Sequence, residues 1–252
     1  MRIRFETPRG PWIADLAQPH DLAIPLRDGL QNPNCFWAPA VEFAPVVAGG
    51  FVGSTAEGGP VNFFNVRFNP HGNGTHTECL GHIARERHSL NDCLRDHHCV
   101  AQLLSLYPQQ MPDGDRIVLP EQIGPLAQDM DLRALVLRTL PNDPHKRQRQ
   151  YSGSNPPYLH PETAALLADA GIEHLLLDLP SVDREEDGGQ LLAHRAFWRY
   201  PAAPRHHCSI TELIFVPDAL PDGFYLLNLQ TAAFDLDAAP ARPVLYALHP
   251  AD

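Results

Sequence analysis

Residues 71–82 read His71-Gly72-Asn73-Gly74-Thr75-His76-Thr77-Glu78-Cys79-Leu80-Gly81-His82, three imidazoles and one carboxylate on a glycine-rich stretch. Imidazole nitrogen and carboxylate oxygen are donors that suit zinc, manganese or iron, and a catalytic ion keeps one coordination position open. Metal binding is the chemistry this spacing predicts. If the stretch from Thr75 to Glu78 is extended, alternate side chains share a face, so His76 and Glu78 point together and can hold one ion. Gly72 and Gly74 would let the backbone turn sharply enough for His71 to converge with His76. His82, beyond a further glycine, would come from another direction, as a ligand or as a general acid/base. Two other readings carry less. Cys79 as a thiol nucleophile would need its base close by in sequence, which is rare, so a packed cysteine is expected. A phosphate cradle at residues 72–75 lacks the P-loop lysine and a helix immediately after it.

Such a cluster needs a second contribution from elsewhere in the chain. His194 follows the Gly188-Gly189 pair, and Glu212 lies in the apolar run 210–216, where an unpaired carboxylate is costly to bury. His206 and His207 are weaker candidates, since they sit in a Pro- and Arg-flanked loop, although adjacent histidines could still line a pocket rim. The remaining singletons His20, His88, His97, His98, His160, His174 and His249 are read as hydrogen-bonded structural residues.

Several elements must position these groups. Phe64, Val66 and Phe68 alternate with Asn65 and Arg67, which predicts a half-buried strand leading to His71. Residues 21–70 otherwise read as loops and short strands, 83–87 as helix-compatible, and 99–107 and 134–140 as buried strands. Residues 144–157 are a Pro- and Gly-punctuated loop. A helix is predicted from Pro161 through the Ala/Leu pattern at 164–170, with Gly171 as its stop and a buried strand at 172–179 after it. Further strands are expected at 210–216, 224–229 and 244–248. No internal repeat or low-complexity tract is present.

The 252 residues are long enough for a substantial core, and a single domain over 1–252 is expected. A formal net charge of −11 argues against nucleic acid, whose binders cluster Lys and Arg. The one basic run, 146–149, reads as a solvated loop. No apolar run is long enough for a membrane span, and the charged N-terminus is unlike a signal peptide, so a soluble cytoplasmic protein is expected. Five cysteines without a CxxC pair are read as reduced, mostly buried thiols.

These residues resemble the metal-dependent cyclase-like hydrolases that include bacterial kynurenine formamidase, whose signature is His-x-Gly-Thr-His-x-Asp-x-Pro-x-His. Gly74-Thr75-His76 matches, Glu78 takes the Asp position and His82 the final His. Residues 21–26 look like the family's opening strand and 178–183 like its later strand and loop, so the likeness covers most of the chain. It departs in three places: His71 precedes His76 by five residues instead of four, Glu78 replaces the shorter Asp, and Leu80 replaces Pro.

The resemblance implies an α/β fold of the swivelling β/β/α kind, with a mixed central sheet, flanking helices and a homodimer or homotetramer. It implies a site for one or two divalent ions, zinc first and manganese second. His71, His76 and Glu78 would hold one ion, Glu78 and Glu212 would bridge, and His194 would hold the other. Such ions activate water and polarise a carbonyl, with His82 as the acid/base. Phe36 or Trp37 would be the aromatic flanking the substrate. The implied reaction is hydrolysis of an amide, arylformamide or cyclic amide in a small molecule. The rivals are a metal-dependent lyase or cyclase on a small polar metabolite and a non-catalytic binding protein on the same fold.

Overall fold

The computed structural model describes residues 1–124, 126 and 130–251. The chain opens with β1 (Arg2–Thr7) and β2 (Gly10–Asp15), an antiparallel hairpin, followed by the short β3 (His20–Asp21). Two small ribbons come next, built from β4 (Glu42–Pro45), β5 (Val47–Ala48), β6 (Phe51–Val52) and β7 (Phe64–Arg67), with β4 paired to β7 and β5 to β6. After β8 (His76–Cys79) come the one-turn helix α1 (Leu90–Cys93), β9 (His98–Leu106), β10 (Gln109–Gln110), β11 (Arg116–Val118), β12 (Leu132–Thr139) and β13 (Tyr158–Leu159). The remainder is α2 (Pro161–Asp169), β14 (His174–Leu177), α3 (Leu192–Trp198), β15 (Ser209–Glu212), β16 (Gly223–Thr231) and β17 (Ala238–Pro250).

Seven strands close on themselves in the order β17, β16, β9, β12, β14, β15, β8 and back to β17. The run β9, β12, β14, β15 is parallel, and the other contacts of the ring are antiparallel. Closure removes the open edges of this mixed sheet. Because side chains alternate across a strand, each wall feeds two cores. Ala101, Leu103, Ala134, Val136, Leu176 and Leu227 belong to one core, with Cys79. Leu135, Leu137, Leu175, Leu177 and Ile210 belong to the other, where α2 contributes Ala164 and Leu167 and α3 contributes Phe197 and Trp198. The expected α/β fold, with a mixed central sheet and flanking helices, is what forms.

The helix from Pro161 starts and stops for the reasons its sequence predicts. Pro161 occupies the first turn, the His160 side chain accepts from the Glu162 amide, and Gly171 takes φ +84°, which a side chain would resist.

Four expectations need correcting. The strand at 64–67 exists, but all four residues are exposed, because its two-stranded ribbon stands off the barrel and neither face is covered. The helix-compatible stretch 83–87 is not helical: a 3-10 turn at Leu80–His82 precedes it, and helix resumes only at Leu90. Lys146 is no solvated loop residue. It is buried in a 3-10 segment, Pro144–Gln148, with Nζ 2.7 Å from Asp178 Oδ2 and bonded to the Thr139 carbonyl. Finally, Gly72 and Gly74 are absent from the positive-φ glycines, so conformational freedom is not their role. A Cβ on Gly72 would lie 2.3 Å from the Ala38 Cβ, and one on Gly74 would lie 2.8 Å from Leu26 Cδ2; close approach of neighbouring chain requires them.

Candidate metal centre

The site grows from the pairing of β8 with β15. His76 is opposite Glu212 and Glu78 opposite Ile210, while Thr77 faces Thr211 across the other side with their hydroxyls 2.7 Å apart. Alternation therefore sends Thr77 and Cys79 into the barrel and puts His76, Glu78 and Glu212 on its outer wall. His76 Nε2 is 3.3 Å from Glu212 Oε2, and the His76 ring is fixed through Nδ1, 2.9 Å from the Gly74 carbonyl.

His194 arrives from α3, the helix packed on that wall. Its Nε2 is 3.0 Å from Glu78 Oε1 and 4.0 Å from Glu212 Oε1. Asp183 sets its position twice over: the carboxylate accepts from the amides of Ala193 and His194, capping α3, and lies 2.5 Å from His194 Nδ1. Trp198 stacks on the imidazole at 5.5 Å. From the chain before β8, His71 Nδ1 comes 3.0 Å from Glu78 Oε2, and from the 3-10 turn after β8, His82 Nδ1 comes 3.7 Å from the same oxygen. The His71 and His82 rings are 4.3 Å apart. All six residues predicted for this chemistry other than the aromatic pair thus converge. His76 and Glu78 are inaccessible, whereas the side chains of His71 and His82 keep 24% and 29% exposure and form the mouth.

Sequence reasoning missed Asp237. Its carbonyl accepts from the Cys79 amide, which holds its carboxylate beside the site, with Oδ2 2.9 Å from His71 Nε2 and 3.5 Å from His82 Nδ1. Nothing in Phe234-Asp235-Leu236-Asp237 distinguishes it from an ordinary loop acid.

Phe36 and Trp37 are exposed and both adopt left-handed backbone conformations, φ +55° and +51°. The turn is tied beside His71 by the Cys35 amide donating to the Gly72 carbonyl, and to the far loop by the Trp37 amide donating to Ser152 Oγ. His206 and His207 do not join the cluster; they line a different cavity with His174, Arg133 and Glu173. Of the structural histidines, His97, His98 and His174 have hydrogen-bond partners in Leu229, Asn228 and Ser209.

The electrostatics show what the cluster lacks. Burial alone would lower the proton affinity of His71 and His194, but the carboxylates around each outweigh it and push both up to about 10: Asp237 and Glu78 for His71, Asp183 and Glu78 for His194. Burial would raise Glu78, yet His82, His194 and His71 together hold it well below the ordinary carboxyl range. Protons here compensate a buried negative charge, which a cation would do as well. Two atoms carry the test of fit. His76 Nε2 is buried without a hydrogen-bond partner, and so is Glu78 Oε2, which lies near His71 Nδ1 but out of line for a bond. Orphaned buried polar atoms are rare. Here they belong to a donor set, His71, His76 and Glu78, whose ligand atoms all lie within 4.8 Å of one another, with Glu78, His82 and His194 forming a second such set. The residues fit a divalent cation.

The sequence profile of the Cyclase family matches residues 15–184. The chain belongs to this family. Within it, kynurenine formamidase of Bacillus cereus (strain ATCC 10987 / NRS 248) is 36% identical over 90 residues, which is 35% of this cyclase-family chain and 39% of that enzyme. The match thus spans about two fifths of the relative's length. Two solved structures share the fold over nearly all of both chains. A potential metal-dependent hydrolase with cyclase activity superposes with TM-score 0.64 at 16% identity, covering 92% of this chain and 99% of that one. An isatin hydrolase bound to the product analogue thioisatinate gives 0.60 at 15% identity, with 93% of each chain covered.

Proposed function

We propose that this cyclase-family chain is a metal-dependent hydrolase of an amide-type C–N bond in a small molecule: an amide, an arylformamide or a cyclic amide. The observation that carries the reading is the pair of orphaned buried donors, His76 Nε2 and Glu78 Oε2, inside a ring of further imidazoles and carboxylates. His71, His76 and Glu78 would hold one ion, zinc before manganese. Glu78, which approaches His71 with one oxygen and His194 with the other, would bridge with Glu212 to a second ion held by His194. A divalent ion so held supplies Lewis acidity toward a carbonyl oxygen and lowers the pKa of water.

The chain's own residues supply the rest. His82, at the mouth with Nδ1 near Asp237, can take a proton from water and deliver it to the departing nitrogen. Phe36 and Trp37 offer aromatic faces at the rim for a flat substrate. Kynurenine formamidase and isatin hydrolase among the similar proteins support the bond type. Exposed Val47, Phe64 and Val66 on the two ribbons, with Val61 and Phe63 in the connection between β6 and β7, support assembly as a homodimer or homotetramer. Five unpaired cysteines suit the cytoplasm, and no helix among the described residues is long and apolar enough to cross a membrane.

Elemental analysis of the wild type, His76→Ala and Glu78→Ala tests the ion, and turnover of formamides and cyclic amides in ¹⁸O-labelled water tests the reaction. Stoichiometric metal lost in both variants, with label in the product, is expected. A wild type that stays metal-free after added zinc and manganese would overturn the reading, and turnover without label would move it to a lyase or cyclase.

A further inference from the structure

The Phe36–Trp37 turn places unusual demands on its residues. It is closed by the Ala38 amide donating to the Cys35 carbonyl at 3.1 Å, with both central residues at positive φ. Glycine, asparagine and aspartate suit such a turn, and two consecutive bulky aromatics do not, because each Cβ crowds its own backbone. Strain of this kind persists only where the surroundings over-determine it. Here they do so from two sides. The Cys35 amide ties the turn to the Gly72 carbonyl, next to His71, at 3.0 Å. On the other side Asn34 pairs with the chain at 149–151: its amide donates to the Arg149 carbonyl at 3.0 Å, and its carbonyl accepts from the Tyr151 amide at 2.7 Å. The Asn34 side chain closes back on the Ala38 carbonyl, also at 2.7 Å. The last tie comes from a side chain: half-buried Ser152 accepts from the Trp37 amide through Oγ at 2.9 Å. The next amide, that of Gly153, donates to both carboxylate oxygens of Glu185, each 3.0 Å away. Glu185 follows closely on Asp183, which orients His194.

We propose that Ser152 is a positioning residue for substrate recognition, holding the Phe36–Trp37 turn in the strained form that keeps both aromatic side chains exposed beside His71. The assignment rests on the reading of these two residues as the aromatic rim of the site. The other ties hold Asn34, Cys35 and Ala38, which flank the strained pair, whereas the Ser152 hydroxyl holds Trp37 itself. Without that acceptor the Trp37 backbone is free to relax toward negative φ. The indole would then leave its place along the same loop, where Cζ2 lies 4.0 Å from the position of a Cβ on Gly153. Because Glu185 and Asp183 share one segment, the aromatic turn and His194 are placed from a common support. Rings fixed in advance lose less freedom when a flat ligand arrives, and a small misplacement of such a group weakens binding.

The test uses the full chain after zinc addition, as wild type, Ser152→Ala and Ser152→Thr. It reads hydrogen exchange of the Trp37 amide by NMR, and the Kd of 2-aminobenzoate and of acetate by titration calorimetry. The first ligand is a planar ring with a carboxylate and no amide to cleave; the second is a carboxylate without a ring. Ser152→Ala should speed exchange at Trp37 and raise the Kd of 2-aminobenzoate roughly 3–10-fold, the worth of one hydrogen bond, while the Kd of acetate stays as it was. Ser152→Thr keeps the hydroxyl and should restore both quantities. A serine with a merely structural role would change exchange without the ring-selective loss, and that result overturns the proposal. So does an equal loss for both ligands, or a wild type that binds 2-aminobenzoate no better than acetate. Neither quantity requires turnover. A ring-selective loss in a protein that hydrolyses no amide would support this role of Ser152 and overturn the hydrolase reading alone.

Discussion

The carboxylate of Asp237 lies 2.9 Å from His71 Nε2, on the side of the ring opposite the nitrogen that faces Glu78. A metal-ligating histidine commonly gives its second N–H to a carboxylate, which fixes the tautomer and ring orientation. The same oxygen is 3.5 Å from His82 Nδ1, so one acid steadies both the inferred ligand and the inferred proton carrier. Hydrogen bonds to His71 and His82 hold its pKa well below the ordinary value, so it stays ionised at neutral pH. Asp237→Asn should lower kcat roughly 10–100-fold while the fold persists. Steady-state kinetics with circular dichroism checks this, and unchanged kcat would remove Asp237 from the machinery.

Removing the ion should weaken the fold as well as the reaction. Without it, Glu78 and Glu212 sit buried among imidazoles whose charge state must balance them. A ligand at a hundredfold its Kd stabilises by about 3 kcal/mol, which for a chain of this size moves Tm by roughly 5–10 °C. Calorimetry before chelation, after it, and after zinc return should show the loss and its reversal. Glu78→Ala should show neither.

His174 sets an acid limit on stability. Burial depresses its pKa from 6.5 to about 4, with Nδ1 against Ser209 Oγ and Nε2 buried without a partner. Between those values the unfolded chain binds a proton that the folded one refuses. Its contribution is therefore complete above pH 6.5 and is lost as pH falls toward 4. At ~1.4 kcal/mol per pH unit the loss amounts to about 3 kcal/mol. Urea midpoints at pH 7.5 and 4.5 should show a smaller difference for His174→Gln than for the wild type.

The Lys146–Asp178 pair is buried on both sides, and Asp178 also accepts from the Thr139 amide and hydroxyl. Burial raises the Asp178 pKa against the pull of Lys146. Lys146→Met would strand that carboxylate and should destabilise by about 3–5 kcal/mol, read from the denaturant midpoint at unchanged m-value. Adding Asp178→Asn should recover part of the loss. A fully stable Lys146→Met would return Lys146 to the solvated role its basic neighbours suggest.

Some of this protein follows from local sequence alone. Period-two alternation is a property of any strand, so the shared face of His76 and Glu78 was legible before any fold was known. Proline and glycine fix backbone angles locally, so the helix from Pro161 to its glycine stop was legible too. A carboxylate in the apolar run at Glu212 marked a buried charge wanting a partner, and the partner is His76 across the β8–β15 register. What the tertiary structure alone decided involves contacts between distant segments, which no local signal encodes. Asp237 is 155 residues from His82 in sequence and reaches it only because barrel closure pairs β17 with β8. Lys146 reads as a surface charge until the fold brings Asp178 beneath it. The ribbon at 64–67 alternates like a buried strand, yet no layer covers it, because burial depends on what packs against a strand and not on its own pattern.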